Sequence, residues 1–337
     1  MVGGQVGKGF LMINKKKVAL ISGITGQDGS YLADYLLSVG YKVVGLTRGY
    51  KGLFPEHLKH IRDQVTIIKT DYSFASLCEI FSTVQPLEFY NMAAQSYVGK
   101  SWLMVDETIE ASGMLPINAL RAIIDTKVQT RFFQASTSEI YCPASARAII
   151  EGDSISPTTP YGCSKALAHQ MVVAYRNNYD IYALNGIFFS HESPRRGRDF
   201  LTMKVINGAL DIKEGKKKML KLGNLDVQRD WGDARDYVRA AHLIMQQESP
   251  VDYHICSGLL HSVEDIVNFI FLQLGMNYKE YVTSDSSLVR SNEPRVVLGS
   301  NSKIRSELGW SATISFEEML LECIESEKKR RKCNIYG

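Results

Sequence analysis

Short apolar runs alternate with amphipathic stretches through the first half of the chain. Val18–Ser22 (VALIS) is a continuous apolar run that stops at Gly23. A run without polar alternation suits a strand buried on both faces. Helical spacing follows over Gln27–Ser38, with Tyr31, Leu32, Tyr35 and Leu36 on one face and Gly40 as the stop. Strand character recurs at Lys42–Thr47, Val65–Ile68, Glu88–Met92, Thr130–Ala135 and Ala183–Phe189, separated by helix-length segments. This alternation predicts an α/β fold: a Rossmann-type doubly wound parallel sheet with helices on both faces.

Beyond Phe189 the pattern loosens. Charged residues and glycines cluster at Pro194–Arg198, Glu214–Lys218 and Gly223–Gly232, which suits a smaller, loop-rich α/β lobe at the C-terminal side. Ala234–Gln247 again reads as a packed helix. The expected division is a flexible leader over 1–16, a first domain over 17–188 to which 234–262 returns, and a second lobe from 189–233 and 263–337.

Composition narrows the function classes. Of 337 residues, 45% are hydrophobic and 22% charged, as in ordinary globular proteins. Lys+Arg 39 against Asp+Glu 36 leaves a formal charge of +3, too balanced for a chain that wraps nucleic acid. No apolar run approaches membrane-span length, so no membrane partner is expected. The first 17 residues carry no signal-peptide core, and Met12 could itself begin the chain. The six cysteines form no CxxC pair and read as reduced thiols of a cytoplasmic protein. The seven histidines show no HxxxH spacing, and no metal site is expected. The basic run Lys328–Lys332 reads as a solvated helix end.

Gly23-Ile24-Thr25-Gly26-Gln27-Asp28-Gly29 joins the first strand to the first helix with GxxGxxG spacing. Glycines allow a tight turn and close approach of a pyrophosphate, and the helix N-terminus offers unpaired N–H groups. In this strand–turn–helix context the motif points to a dinucleotide rather than to a plain glycine-rich turn. Arg48 follows the second strand, with Lys51 nearby, where an acidic residue would bond a ribose 2′-hydroxyl. A guanidinium there favours a 2′-phosphate, so NADP is expected, with NAD possible. Asp71 and Tyr72 follow the third strand, where an adenine is flanked. Met92, Ala93, Ala94, Gln95 and Ser96 follow the fourth, and their small side chains let a cofactor lie close to the backbone.

Tyr161 and Lys165 form YxxxK just after Pro160. Four residues apart, they share one helix face. An ammonium and a positive nicotinamide favour the phenolate, so this pair suits proton removal from a hydroxyl as hydride leaves the same carbon. Thr137, Ser138 and Glu139 lie at the carboxyl end of the fifth strand, where ligands of parallel sheets bind. Simple hydride transfer has no need of the Glu139 carboxylate. Removal of a proton beside a ketone does. The competing reading of Glu139 is a capping or salt-bridge carboxylate.

Taken together these residues resemble the extended short-chain dehydrogenase/reductase family, and within it the GDP-mannose 4,6-dehydratases. The resemblance runs from about Lys17 to Trp310. Its specific strings are GITGQDGSYLADYLL (Gly23–Leu37), AAQSYV (Ala93–Val98), RFFQASTSEIY (Arg131–Tyr141), HESPRRG (His191–Gly197) and LGNLDVQRDWGDARDYV (Leu222–Val238). It implies catalysis by Thr137, Glu139, Tyr161 and Lys165: oxidation at carbon 4, loss of water across carbons 5 and 6 through Glu139, and return of hydride to carbon 6. It implies cofactor contacts from His191 and Arg196, the latter reaching a neighbouring subunit, and hence a homodimer or homotetramer. It places Ser138, Ser190, Leu201, Lys204, Arg229, Arg290 and Glu293 around a GDP-sugar.

Several positions depart from the family pattern. Gly49 stands where a second arginine is usual, Ser190 replaces an Asn, Glu107 replaces a Tyr and Asp233 a His. Pro116 interrupts a helix, and the C-terminal lobe is short. These changes spare the catalytic residues and leave the sugar open, with a GDP-heptose as an alternative to GDP-mannose. A nucleotide-sugar reductase or epimerase would use Tyr161 and Lys165 but rarely Glu139. A non-catalytic dinucleotide sensor would commonly lack one of the pair.

Overall fold

The protein's structure, a computed structural model, describes residues 17–49, 54–141, 147–289 and 293–335. The leader, Lys51, Cys142 and Arg290 lie outside the described residues. Six strands arrive in order: β1 Val18–Ser22, β2 Lys42–Thr47, β3 Val65–Lys69, β4 Glu88–Asn91, β5 Arg131–Thr137 and β6 Ala183–Phe188. Then follow β7 Ser190–Glu192, β8 Leu220–Leu222, β9 Gln228–Asp233, β10 Tyr253–Ile255, β11 Leu260–Ser262, β12 Val282–Ser284 and β13 Val296–Val297. The helices are α1 Gln27–Ser38, α2 Phe74–Val84, α3 Val105–Ile109, α4 Leu115–Thr126, α5 Pro160–Asn178, α6 Leu201–Lys213, α7 Ala234–Met245, α8 Val263–Gln273, α9 Ser302–Leu308 and α10 Phe316–Ile335.

The main sheet has seven strands in the order β10-β6-β5-β4-β1-β2-β3, all parallel. This is the doubly wound arrangement, with the order reversing between β1 and β4. The unbroken apolar runs have a direct reason. Ile21, Tyr90 and Phe133 face α1 and α7, whereas their neighbours Leu20, Phe89 and Phe132 face α2, α4 and α5. Successive strand residues point to opposite faces, and both faces are covered.

The second lobe packs α6, α8 and α10 into a separate apolar core that includes Val205, Ile206, Ile266, Ile270, Leu320 and Ile324. Beside it, β9 pairs antiparallel with β11 and parallel with β13 and β7. The segments interleave more than a simple division suggests. Ile304 and Trp310 join the core of the first lobe, whereas β11 pairs into the second sheet.

Local boundaries follow pairing. β5 runs to Thr137 because β6 pairs with it as far as Thr137 and Phe188. β4 stops at Asn91, opposite Gln134, so Met92 leaves the sheet. Pro116 sits in the first turn of α4, directly after a π-helical turn at Glu110–Met114 that continues α3. The wider i→i+5 turn accommodates a residue with no N–H, so the helix is re-registered rather than broken. The basic run on α10 is more than a solvated end. Arg331 bonds Asp211, Glu214 and both oxygens of Asn207, and with Arg330 and Arg198 it surrounds the buried Glu327 carboxylate.

Candidate active site

A cavity of about 940 Å³ opens along the carboxyl ends of β1, β2, β4, β5 and β6 and meets the loop after β7. Its size is that of a site for a large ligand. Gly23, Thr25, Gly26, Gln27, Asp28 and Gly29 line one end. Gly23 has φ +68, and a Cβ there would lie 2.8 Å from the Ala93 Cα. At Gly29 a Cβ would meet the Gly23 carbonyl at 2.3 Å. These glycines therefore let the turn close against β4 and α1. Gly26 is the N-cap of α1 and supplies no side-chain cap, so first-turn N–H groups face the cavity uncapped. The residues present fit a pyrophosphate.

Ile24 is fully buried and packs over Gly45 rather than lining the cavity. Arg48 lines it and pairs with Glu107 at 3.3 Å, both side chains about half exposed. Asp71 accepts a hydrogen bond from the Ser73 N–H. Tyr72, at φ 61, lines the cavity, and burial pushes its hydroxyl up to about 12. Met92, Ala93, Ala94 and Ser96 also line it. Gln95 does not, because its amide folds back onto the Tyr97 backbone.

At the other end α5 begins at Pro160, capped by the Thr159 hydroxyl on the Gly162 N–H. This cap sets Tyr161 in the first turn and aims it, with Lys165, at the tip of β5. Thr137, Ser138, Glu139, Tyr161 and Lys165 share the cavity wall. Burial raises the Tyr161 hydroxyl above its ordinary range, and a hydrogen bond with Thr137 works against that. Glu139 lies close enough to act on Tyr161 electrostatically. Burial lowers the Lys165 ammonium to about 8. Its Nζ donates to the Ala135 carbonyl at 2.8 Å and stands 6.0 Å from the Tyr161 ring centre. The same carbonyl accepts from Gln134 Nε2 at 3.0 Å. Gln134 accepts from Asn91, and Asn91 from Ser22. A buried polar string thus crosses three strand ends from the glycine turn to Lys165.

His191 on β7 and Asp28 on α1 meet at 3.0 Å beside the turn. Arg196 lines the cavity and lies over the Phe200 ring at 3.6 Å. Ser190 also lines it. The other residues expected at a sugar nucleotide stand apart from this wall. Leu201 packs against the second core, Lys204 is exposed on α6, and Arg229 pairs with Glu293 at 3.3 Å. Sequence reasoning passed over Ser136, Asn118, Arg195 and Phe200, all of which line the cavity. Arg195 was adjacent to Arg196 in the string, but nothing in the spacing said that both would face inward. No group of metal-ligating side chains occurs among the described residues.

The sequence profile of the GDP-mannose 4,6 dehydratase family matches residues 20–323. GDP-mannose 4,6 dehydratase 2 of Arabidopsis thaliana is 36% identical over 334 residues, covering 95% of this chain and 89% of the relative. The Homo sapiens GDP-mannose 4,6 dehydratase is 34% identical, with 98% and 95% covered. Among solved structures, a dTDP-glucose 4,6-dehydratase from Streptomyces venezuelae with NAD bound superposes with TM-score 0.84 at 20% identity, covering 94% of this chain and 98% of that one. UDP-glucose 4-epimerase from Thermotoga maritima gives 0.82 at 20%, with 93% and 99% covered. At that identity the structures establish the fold, and the sequence matches establish the kinship: the chain belongs to the GDP-mannose 4,6 dehydratase family.

Proposed function

We propose that the chain is a nucleotide-sugar 4,6-dehydratase that binds NADP, or NAD in its place, and converts GDP-mannose to the 4-keto-6-deoxy sugar nucleotide. The observation that carries this is the meeting of Glu139 with Thr137, Tyr161 and Lys165 on one wall of one cavity. A reductase or epimerase has no evident use for the extra carboxylate. Family membership and the names of the relatives support the substrate class.

A bound nicotinamide would supply the hydride acceptor and donor for the sugar carbons. The chain's own residues move protons and hold the reactants. The Tyr161 oxygen takes the proton of the carbon-4 hydroxyl, with Thr137 completing its hydrogen bonding. The Lys165 ammonium lowers the cost of the phenolate and reaches the ribose. Glu139 removes the proton on carbon 5, acidified by the ketone, and protonates the departing carbon-6 hydroxyl. The turn from Gly23 to Gly29 holds the pyrophosphate and Arg48 the 2′-phosphate. Asp71, Tyr72, Met92, Ala93, Ala94 and Ser96 flank the nucleoside, Gln95 braces that segment through the Tyr97 backbone, and His191 and Arg196 complete the cofactor site. Ser138 and Ser190 face the GDP-sugar from the cavity wall, and its nucleotide end is assigned to Leu201, Lys204, Arg229, Arg290 and Glu293 of the second lobe.

The same reading gives the cofactor to 17–188 with 234–262, and the sugar nucleotide to 189–233 with 263–337. It makes the protein a cytoplasmic homodimer or homotetramer. Among the described residues no helix is long and apolar enough to cross a membrane. Trp102 and Leu103 in the turn before α3, Val105 and Ile109 on α3 and Leu167 on the neighbouring α5 are exposed, an apolar surface suited to a second copy. Incubation with GDP-mannose, a GDP-heptose and UDP- and dTDP-sugars, read by mass spectrometry, tests the assignment. Loss of one water from a GDP-sugar without net consumption of NADPH is expected. Stoichiometric NADPH oxidation with no dehydrated product would overturn it.

A further inference from the structure

His191 presents both ring nitrogens to acceptors, a backbone carbonyl and the ionised Asp28 carboxylate. Nδ1 lies 2.7 Å from the Phe189 carbonyl and Nε2 lies 3.0 Å from Asp28 Oδ1. A neutral imidazole carries one N–H and one lone pair. In either neutral form one of these contacts would set lone pair against lone pair. The ring geometry is satisfied only when both nitrogens are protonated.

The surroundings keep that arrangement rigid. The ring lies 4.8 Å from the Tyr237 ring and edge-on to Phe188. Gln27 donates to Asp28 and accepts from Ser193, and Arg195 bonds Ser30 and Asp34. The HESPRR string of one lobe therefore grips the GQDGS string of the other. This grip puts a partly buried carboxylate in the first turn of α1, beside the uncapped N–H groups meant for a pyrophosphate. An unpaired anion there would repel the ligand.

We propose that Asp28 is a positioning residue that holds His191 as its imidazolium, and that this cation cancels the Asp28 charge so that the turn accepts a pyrophosphate. The proposal rests on the dinucleotide reading above. Other charged groups face the pair. Arg196 and Glu192 come from the His191 strand and the loop after it, Tyr237 comes from α7, and Tyr161 and Lys165 on α5 lie within electrostatic reach of Asp28. Burial alone would lower the His191 pKa, but the Asp28 charge and hydrogen bond outweigh it and raise it. Burial alone would raise the Asp28 carboxyl, but His191 first, with the Gln27 hydrogen bond and the Arg196 charge, outweighs it and holds it at about 2. As pH rises through the His191 pKa, the ring loses its charge, Asp28 is left uncompensated, and dinucleotide affinity falls.

Two measurements decide it. With 13Cε1-labelled histidine, the resonance missing from His191→Gln identifies the ring among the seven histidines, and its titration is followed in the wild type and in Asp28→Asn. The pKa is expected above the ordinary histidine value in the wild type and below it in Asp28→Asn. An ordinary value in both overturns the proposal. The second measurement is NADP and NAD binding by calorimetry. His191→Gln should bind about tenfold to a hundredfold more weakly at every pH, an unscreened charge near the phosphates. The double variant Asp28→Asn/His191→Gln should bind more tightly than His191→Gln by about threefold or more, because the turn is neutral again, without regaining the His191 contact itself. Asp28→Asn alone should lose the alkaline decline in affinity. A double variant as weak as His191→Gln, or a decline that persists in Asp28→Asn, overturns the proposal. If His191→Gln fails to fold, the pH profiles of Asp28→Asn and wild type carry the test. A chain that binds neither dinucleotide defeats the functional reading, whereas the His191 titration still decides the charge state.

Discussion

Glu139 and Lys165 carry the two residue-scale consequences that are easiest to measure. Glu139 is required only after the first oxidation in the proposed cycle. Glu139→Gln should therefore lower turnover about a hundredfold or more while the near-ultraviolet absorbance of reduced nicotinamide accumulates. Unchanged turnover would remove Glu139 from the mechanism. Lys165 has its proton held down to about 8 by burial, with Asp28 pulling the other way. Its positive charge is present below that pH and lost above it. The pH profile of kcat should fall above pH ~8 in the wild type. Lys165→Arg, whose guanidinium stays charged, should turn over more slowly but without that decline.

At the scale of elements, the site depends on how closely β1, α1 and the tail of β4 approach. Gly29 permits that approach, since a Cβ would stand 2.3 Å from the Gly23 carbonyl, a backbone atom that cannot swing aside. Gly29→Ala should cost about 1–3 kcal/mol of stability. Thermal melting should show a lowered midpoint, and added NADP should restore little of it. The turn, α1 and the start of α5 were legible in the chain because each depends on local chemistry: glycines at a strand end, apolar spacing, and a proline suited to the first turn of a helix. The π-helical turn before Pro116 was not legible. A proline announces that a helix cannot continue unchanged, but only the packing of Ala111, Ser112 and Gly113 against α5 decides that it widens instead of ending.

At the scale of the molecule, the two lobes are fastened where their most distinctive strings meet. Arg195 lies 3.9 Å over the Tyr31 ring and bonds Asp34 at 2.6 Å, so helix α1 is held on its outer side by the loop after β7. The exposed apolar surface of α3 and α5 lies on the other side of the sheet from α1. With Leu103 86% exposed, Leu103→Asp should leave folding intact and weaken self-association. Light scattering after size exclusion should then give a smaller mass than the wild type. An identical mass for both would place the oligomer interface elsewhere.

The parallel sheet, its two covered faces and the glycine turn followed from sequence alone. They rest on short-range rules: unbroken apolar runs must be buried on both sides, and a parallel crossover needs a helix between strands. The tertiary structure decided which polar side chains face one another across long separations. Asp28 and His191 are 163 residues apart, and each reads by itself as a ligand contact. Only their meeting, with a carbonyl on the far side of the ring, shows that they form a charge pair. Arg48 against Glu107 and Arg229 against Glu293 are of the same kind. Local chemistry tells what a side chain can bond, and the fold settles what lies within reach.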